Sequence, residues 1–134
     1  MTLLVLKWLT EQLQVSKKVA MATVMSTSGS VPGKTGARLA LTEDSIIGTI
    51  GGAGLEKKVI QRLQEMLSQS VTAIGEVHTY GLNKGAKGYE VIPLDSLCGG
   101  RVTLALEVII AMPHILLRFS LSGVTTWLSP IGRT

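Results

Sequence analysis

The stretch that most constrains this chain is residues 48–59, GTIGGAGLEKKV. The residues leading into it, Ser45, Ile46, Ile47, Gly48, Thr49 and Ile50, carry the β-branched side chains of a strand. Gly51 and Gly52 break that pattern, and from Leu55 apolar residues recur at helical spacing to about Ser68. The segment reads as strand, glycine turn and helix. Such a junction aims unpaired backbone N–H groups and the positive end of a helix dipole at whatever lies before the turn, which suits an anionic ligand. The same glycines also serve simply to let a strand reverse into a helix packed closely upon it. On this stretch alone both readings stay open.

The unit that holds this turn is small. With 134 residues, 46% of them hydrophobic, the chain has material for one core, so one domain is expected. The net charge of +4 is scattered, without a dense basic run and with only 4% aromatic residues, which argues against nucleic acid and leaves an acidic small molecule or protein as the compatible partner. One cysteine, Cys98, excludes an internal disulfide framework and a four-cysteine zinc site, and His78 and His114 are the only imidazoles. No basic leader precedes the apolar start and no small-residue cleavage site follows it, so a cytoplasmic location is expected. The most apolar region, residues 102–117, is interrupted by Glu107, Pro113 and His114 and falls short of the roughly 20 apolar residues a membrane span needs. It reads as core, and no membrane partner is expected.

In chain order, residues 3–14 place Leu3, Val5, Leu6, Trp8, Leu9 and Leu13 at helical spacing against Lys7, Glu11, Gln12 and Gln14, an amphipathic helix whose stripe is core or a subunit contact. Residues 18–27 read as a buried strand. The loop that follows, GSVPGKT, is one residue short of the Walker spacing and runs into a strand where a phosphate loop requires a helix, so a nucleotide triphosphatase is rejected. Lys34 and Arg38 remain as cations able to meet a phosphate or carboxylate, or simply to be solvated. Glu43, Asp44 and Ser45 supply a tight turn, so residues 37–42 and 45–50 are expected to form a hairpin. In the helix after the glycines, Leu55, Val59, Ile60, Leu63, Met66 and Leu67 make the apolar face, while Lys57, Lys58, Gln61, Arg62 and Glu65 face water. Glu56, in its first turn, either complements the helix dipole or faces a ligand.

Residues 73–80 are expected to form a strand, with His78 as a structural histidine. GLNKGAKG at 81–88 reads as a loop, 89–94 as a short extended piece, and 102–110 as a central strand. The fold expected is α/β (α+β): a single small domain over residues 1–110, with a mixed sheet containing a hairpin, an N-terminal helix and one helix after the glycine turn. Residues 111–134 stand apart as a tail.

Cys98 is the second focus. Gly99 and Gly100 let backbone amides approach its sulfur and Arg101 is near enough to lower its pKa, both favouring a thiolate that binds a soft metal or attacks an electrophile. The other common fate of a lone cysteine is to be a small buried hydrophobe.

Three pieces now stand in order: ATVMSTSGSVPGKTGARLALTED at 22–44, IIGTIGGAGLEKKVI at 46–60 and LCGGRVTLALE at 97–107. Together, over roughly residues 5–108, they resemble the N-terminal domain of the xanthine dehydrogenase accessory factor and carbon monoxide dehydrogenase maturation family, XdhC/CoxI. That resemblance implies a protein, not itself an enzyme, that binds molybdenum cofactor, shields it during maturation and delivers it to a molybdenum hydroxylase of the xanthine or carbon monoxide dehydrogenase type. Molybdenum cofactor carries a pterin, a dithiolene and a terminal phosphate, so a carrier needs an anion site, polar groups and a soft ligand toward the metal. The cofactor-binding residues so implied are Arg38, Gly51, Gly52, Glu56, Cys98, Gly99, Gly100 and Arg101, with Cys98 on the metal side. A homodimer is compatible with the apolar first helix and tail.

Two departures from the family pattern bear on this. Family members usually have a cysteine where this chain has Gly54, and usually a second, dinucleotide-fold domain, which the 134 residues are not expected to contain. The competing expectations are a Cys98-dependent enzyme acting on a small anionic substrate, with His78 as the sole candidate base, and a degenerate domain kept only for oligomerisation or partner docking.

Overall fold

The computed structural model describes residues 2–15, 17–69, 75–82, 91–93 and 99–110. They form helix α1 (Thr2–Gln14), strands β1 (Val19–Ser28), β2 (Arg38–Leu41) and β3 (Ile46–Gly48), helix α2 (Ala53–Ser68), and strands β4 (Gly75–Gly81), β5 (Val91–Pro93) and β6 (Arg101–Ile109). The strands make one six-stranded sheet in the order β3-β2-β1-β6-β4-β5, antiparallel throughout except for the parallel β4–β5 pair. The small α/β domain with a mixed sheet, the β2–β3 hairpin and the helix after the glycine turn are thus as expected. The anticipated central strand is β6, paired on both sides.

Alternation along the strands sorts the side chains onto two faces. Ala20, Ala22 and Val24 of β1, Leu39 and Leu41 of β2 and Leu104, Leu106 and Val108 of β6 pack in one buried cluster with Leu55, Val59, Leu63, Met66 and Leu67 of α2. On the opposite face Val19, Met21 and Ala40 meet α1 through Val5, with Trp8, Leu9 and Leu13 partly buried around it. The expected apolar stripe packs on the sheet through Val5, Trp8, Leu9 and Leu13, and Leu3 alone of those named stands well outside it. Leu3 is 81% exposed, because at about 100° per residue it lies some 200° around the helix from Val5, the residue that touches the sheet.

Arg62 also departs from expectation. Rather than facing water alone, its guanidinium donates to both carboxylate oxygens of Glu76 on β4, at 2.9 Å from Nε to Oε1, and to Glu65 at 3.1 Å. These bonds fasten the polar side of α2 to the sheet and, with a smaller part from His78, hold the Glu76 carboxyl well below the usual carboxylate range, at about 2. Among the described residues no helix is long and apolar enough to cross a membrane. Cys98, residues 83–88 of the expected loop, residues 89, 90 and 94 of the expected extended piece, residues 73–74 of the expected strand and the tail 111–134 lie outside the described residues.

Candidate functional site

The pairing directions decide where the motifs meet. β1, β3, β4 and β5 run one way and β2 and β6 the other, so the ends of the first four and the starts of the last two gather at one end of the sheet. That end carries the Gly-Ser-Val-Pro-Gly loop after β1, the glycine turn after β3, and Gly99 and Gly100 before β6.

The loop after β1 is the link between the other two. On one side a Cβ built on Gly51 would stand 3.1 Å from both the Pro32 ring and the Gly33 nitrogen, so the proline loop and the glycine turn touch backbone to backbone. On the other side a Cβ on Gly100 would stand 2.5 Å from the carbonyl oxygen of Ser30 and 2.6 Å from that of Ser28. Only glycine admits this approach. Gly99 and Gly100 are fixed in turn by Leu82, which donates to the Gly100 carbonyl at 2.7 Å and accepts from the Gly99 amide at 2.8 Å.

Within the turn the expected set of open donors is revised. Glu56 folds back from the helix so that its Oε1 accepts from the Thr49 hydroxyl at 2.6 Å, the Ile50 amide at 3.0 Å and the Gly52 amide at 3.2 Å. Thr49 in turn accepts from the Gly51 amide at 3.2 Å. The carboxylate thus occupies the place first assigned to an outside anion, for the reason that made the place attractive: converging N–H groups at the positive end of α2. The amides left without a partner among the described residues are those of Ala53, Gly54 and Leu55, one step into the helix. Gly54 is exposed, and a Cβ there would meet nothing within 4 Å.

Glu56→Ala is therefore expected to lower stability by about 2 kcal/mol, the loss of a charged cap with three bonds, while Glu56→Gln retains part of it. Urea denaturation of the two variants checks this; a wild-type midpoint in Glu56→Ala would show that the carboxylate does not hold the turn.

The arginines stand differently. Leu39 and Leu41 face α2, so Arg38 projects on the α1 side of the sheet, where its Nε donates to the Thr23 hydroxyl at 3.4 Å. Val102 and Leu104 likewise face α2, which places Arg101 on the α1 side. The structure thus brings Gly51, Gly52, Glu56, Gly99 and Gly100 together at one end of the sheet, and sets Arg38 and Arg101 around the rim on the face away from α2. Lys34 is exposed. Among the described residues no three of His, Cys, Asp and Glu gather as a metal site. Thr49 was missed by sequence reasoning; its only signal was a hydroxyl two residues before the first glycine of the turn.

The fold and this end of the sheet define a small α/β domain whose glycine-rich loops meet around a helix start. A sequence model of the XdhC and CoxI family matches residues 13–81, just over half of the chain, and the chain belongs to that family. The match takes in the proline loop, the hairpin, the glycine turn and α2, and ends before Cys98. Among solved structures, the crystal structure of a xanthine dehydrogenase from Bacillus halodurans is similar, with 24% identity and a TM-score of 0.56, over 74% of this chain and 29% of that one. At that identity the likeness supports the fold, and this chain spans under a third of that protein. A search of the curated proteins gave no match.

Proposed function

We propose that this protein is a molybdenum-cofactor-binding accessory protein that serves the maturation of a molybdenum hydroxylase of the xanthine or carbon monoxide dehydrogenase type. The observation that carries the reading is the convergence of the proline loop, the glycine turn and the Gly99–Gly100 pair at one end of the sheet, in a chain of the XdhC and CoxI family. The donor set suits the group. A terminal phosphate is met by the partnerless amides of Ala53, Gly54 and Leu55 at the positive end of α2, beside Gly51 and Gly52. Arg38 and Arg101, on the rim of the opposite face, add positive charge to this end of the sheet.

Glu56 acts from behind, holding the turn in shape. Cys98, joined directly to Gly99 in sequence, is the soft ligand for the metal side, with Gly99 and Gly100 presenting backbone there. When bound, the cofactor supplies the metal chemistry of the recipient enzyme; this chain binds, orients and shields it. The space at Gly54, where the family usually has cysteine, leaves room for a second thiol without displacing a neighbour.

The test is anaerobic titration of the purified protein with molybdenum cofactor, reading the cofactor retained after gel filtration. Stoichiometric retention is expected, falling roughly tenfold or more in Cys98→Ser with thermal stability unchanged, and rising in Gly54→Cys. A well-folded wild type that retains nothing overturns carriage by this chain. Equal losses of binding and stability in Cys98→Ser would mark Cys98 as a packing residue.

A further inference from the structure

A second place in the molecule is equipped for a ligand. α2 packs mainly on β1, β6 and β2, which leaves a groove between the helix and the β4–β5 edge of the sheet. The groove has a volume of about 190 Å³ and is lined by Lys58, Gln61, Arg62 and Glu65 from the helix, His78 and Tyr80 from β4 and Ile92 from β5. At about 30 Å³ per water, that is room for about six waters or one compact solute.

Tyr80 is the observation that asks for an explanation. It is only 2% exposed, yet its hydroxyl makes no hydrogen bond with any described residue, where a phenol at such depth ordinarily finds a partner. Among the described residues no side-chain nitrogen or oxygen is both sealed from solvent and unpartnered, so the Tyr80 oxygen keeps access to solvent, and Tyr80 is one of the residues that line the groove. Burial keeps this hydroxyl protonated beyond the ordinary range, with the Glu76 charge acting in the same direction and Arg62 opposing it, so it stands ready as a donor.

The charges around it are unequal in what they have left. Glu65 and Glu76 both accept from Arg62, so one guanidinium ties down two carboxylates and the three together keep one net negative charge, which leaves Lys58 as the cation available to an anion. Lys58 forms no ion pair with a described residue and contributes an unspent positive charge. His78 places Nε2 2.7 Å from Glu76 Oε1. An ionised carboxylate only accepts, so Nε2 carries the proton, and in the neutral ring Nδ1 keeps its lone pair.

The groove thus presents a cation at Lys58, an O–H donor, an imidazole acceptor, the Gln61 amide and an apolar wall at Ile92, with the Glu65 and Glu76 carboxylates engaged by Arg62. The complement of that set is an oxyanion that also bears a hydroxyl. We propose that this groove binds a small hydroxyl-bearing oxyanion of the kind represented by protonated phosphate, with Lys58 and Tyr80 holding the anionic oxygens and His78 accepting from the hydroxyl. The site is separate from the strand-end site and does not depend on the cofactor reading.

Inorganic phosphate is the probe and sulfate, which lacks a hydroxyl at neutral pH, its control. The 134-residue chain is titrated with each at matched ionic strength near pH 7, following backbone amide and imidazole resonances. Saturable phosphate shifts at Lys58, His78 and Tyr80 are expected, with sulfate at least about fivefold weaker for want of one hydrogen bond. Tyr80→Phe, which keeps the ring, and Lys58→Gln, at an exposed position, are each expected to weaken phosphate about five- to tenfold with Tm unchanged. Non-saturating shifts equal for both anions, or saturable binding indifferent to Tyr80→Phe, would reveal an adventitious ion only and overturn the proposal.

Discussion

Gly100→Ala is expected to lower the unfolding free energy by ~3 kcal/mol or more, the upper range of overpacking effects. The added methyl has no direction in which to give. It would stand 2.5 Å from the Ser30 oxygen, 2.6 Å from the Ser28 oxygen and 2.6 Å from Val31 Cγ1, and two of these three are backbone atoms at the end of β1. Relief requires the loop after β1 to move away from β6. Because that loop also touches the Gly51 turn through Pro32 and Gly33, the displacement carries into the other half of the strand-end site. For a small domain whose whole stability is of the order of 5–15 kcal/mol, this is a large fraction. The matched control is Gly54→Ala, where the new methyl meets nothing within 4 Å and the residue lies in the first turn of α2. It should raise stability by about 0.5 kcal/mol through reduced backbone freedom in the unfolded chain. Urea denaturation of both variants, with unchanged m-values, checks the pair. A loss below about 1 kcal/mol in Gly100→Ala would mean that the loops do not meet as described.

Acid is expected to expose the second large effect. Glu76 takes up a proton near its usual 4.5 in the unfolded chain but only near 2 in the folded protein. Above pH 4.5 both states are ionised and the stabilisation from the Arg62–Glu76 pair is fully present. Between 4.5 and 2 the unfolded state binds the proton first, so stability falls as pH falls. With the Glu76 side chain 22% exposed and that of Arg62 32% exposed, solvent screening trims the contribution to about 2 kcal/mol. Urea midpoints measured from pH 5 down to pH 2 should therefore decline more steeply in the wild type than in Glu76→Gln, whose curve loses this component. Asp44 also titrates low, through the Thr42 hydroxyl and Lys17, but it is exposed and common to both proteins, so the comparison isolates Glu76. Parallel curves would show that the pair does not stabilise the fold.

Local features accounted for much of this. The apolar face of α2, with Leu55, Val59, Leu63 and Met66, was legible because a helix that buries one stripe must repeat apolar residues every three or four positions. The hairpin was legible because Glu43, Asp44 and Ser45 interrupt two largely apolar runs; Thr42 and Ser45 close it through a 2.9 Å backbone bond. The same rule found Val5, Trp8, Leu9 and Leu13 of α1 and erred at Leu3, which only contact with the sheet separates from them.

The chain by itself determined the order of strand, glycine turn and helix and the motifs by which its family is recognised, because these rest on spacing between near neighbours. Tertiary structure alone decided which glycines are joints, for Gly29, Gly51 and Gly100 are far apart in sequence and acquire their neighbours only when four strand ends gather at one edge. It decided that Glu56 turns back upon its own turn, a choice between an inner and an outer anion that depends on where Thr49 and the Ile50 amide lie in space. It also placed Arg62 against Glu76 and set Tyr80 along a groove, since the partner of a polar group is set by strand register and helix position, to which no local pattern gives access.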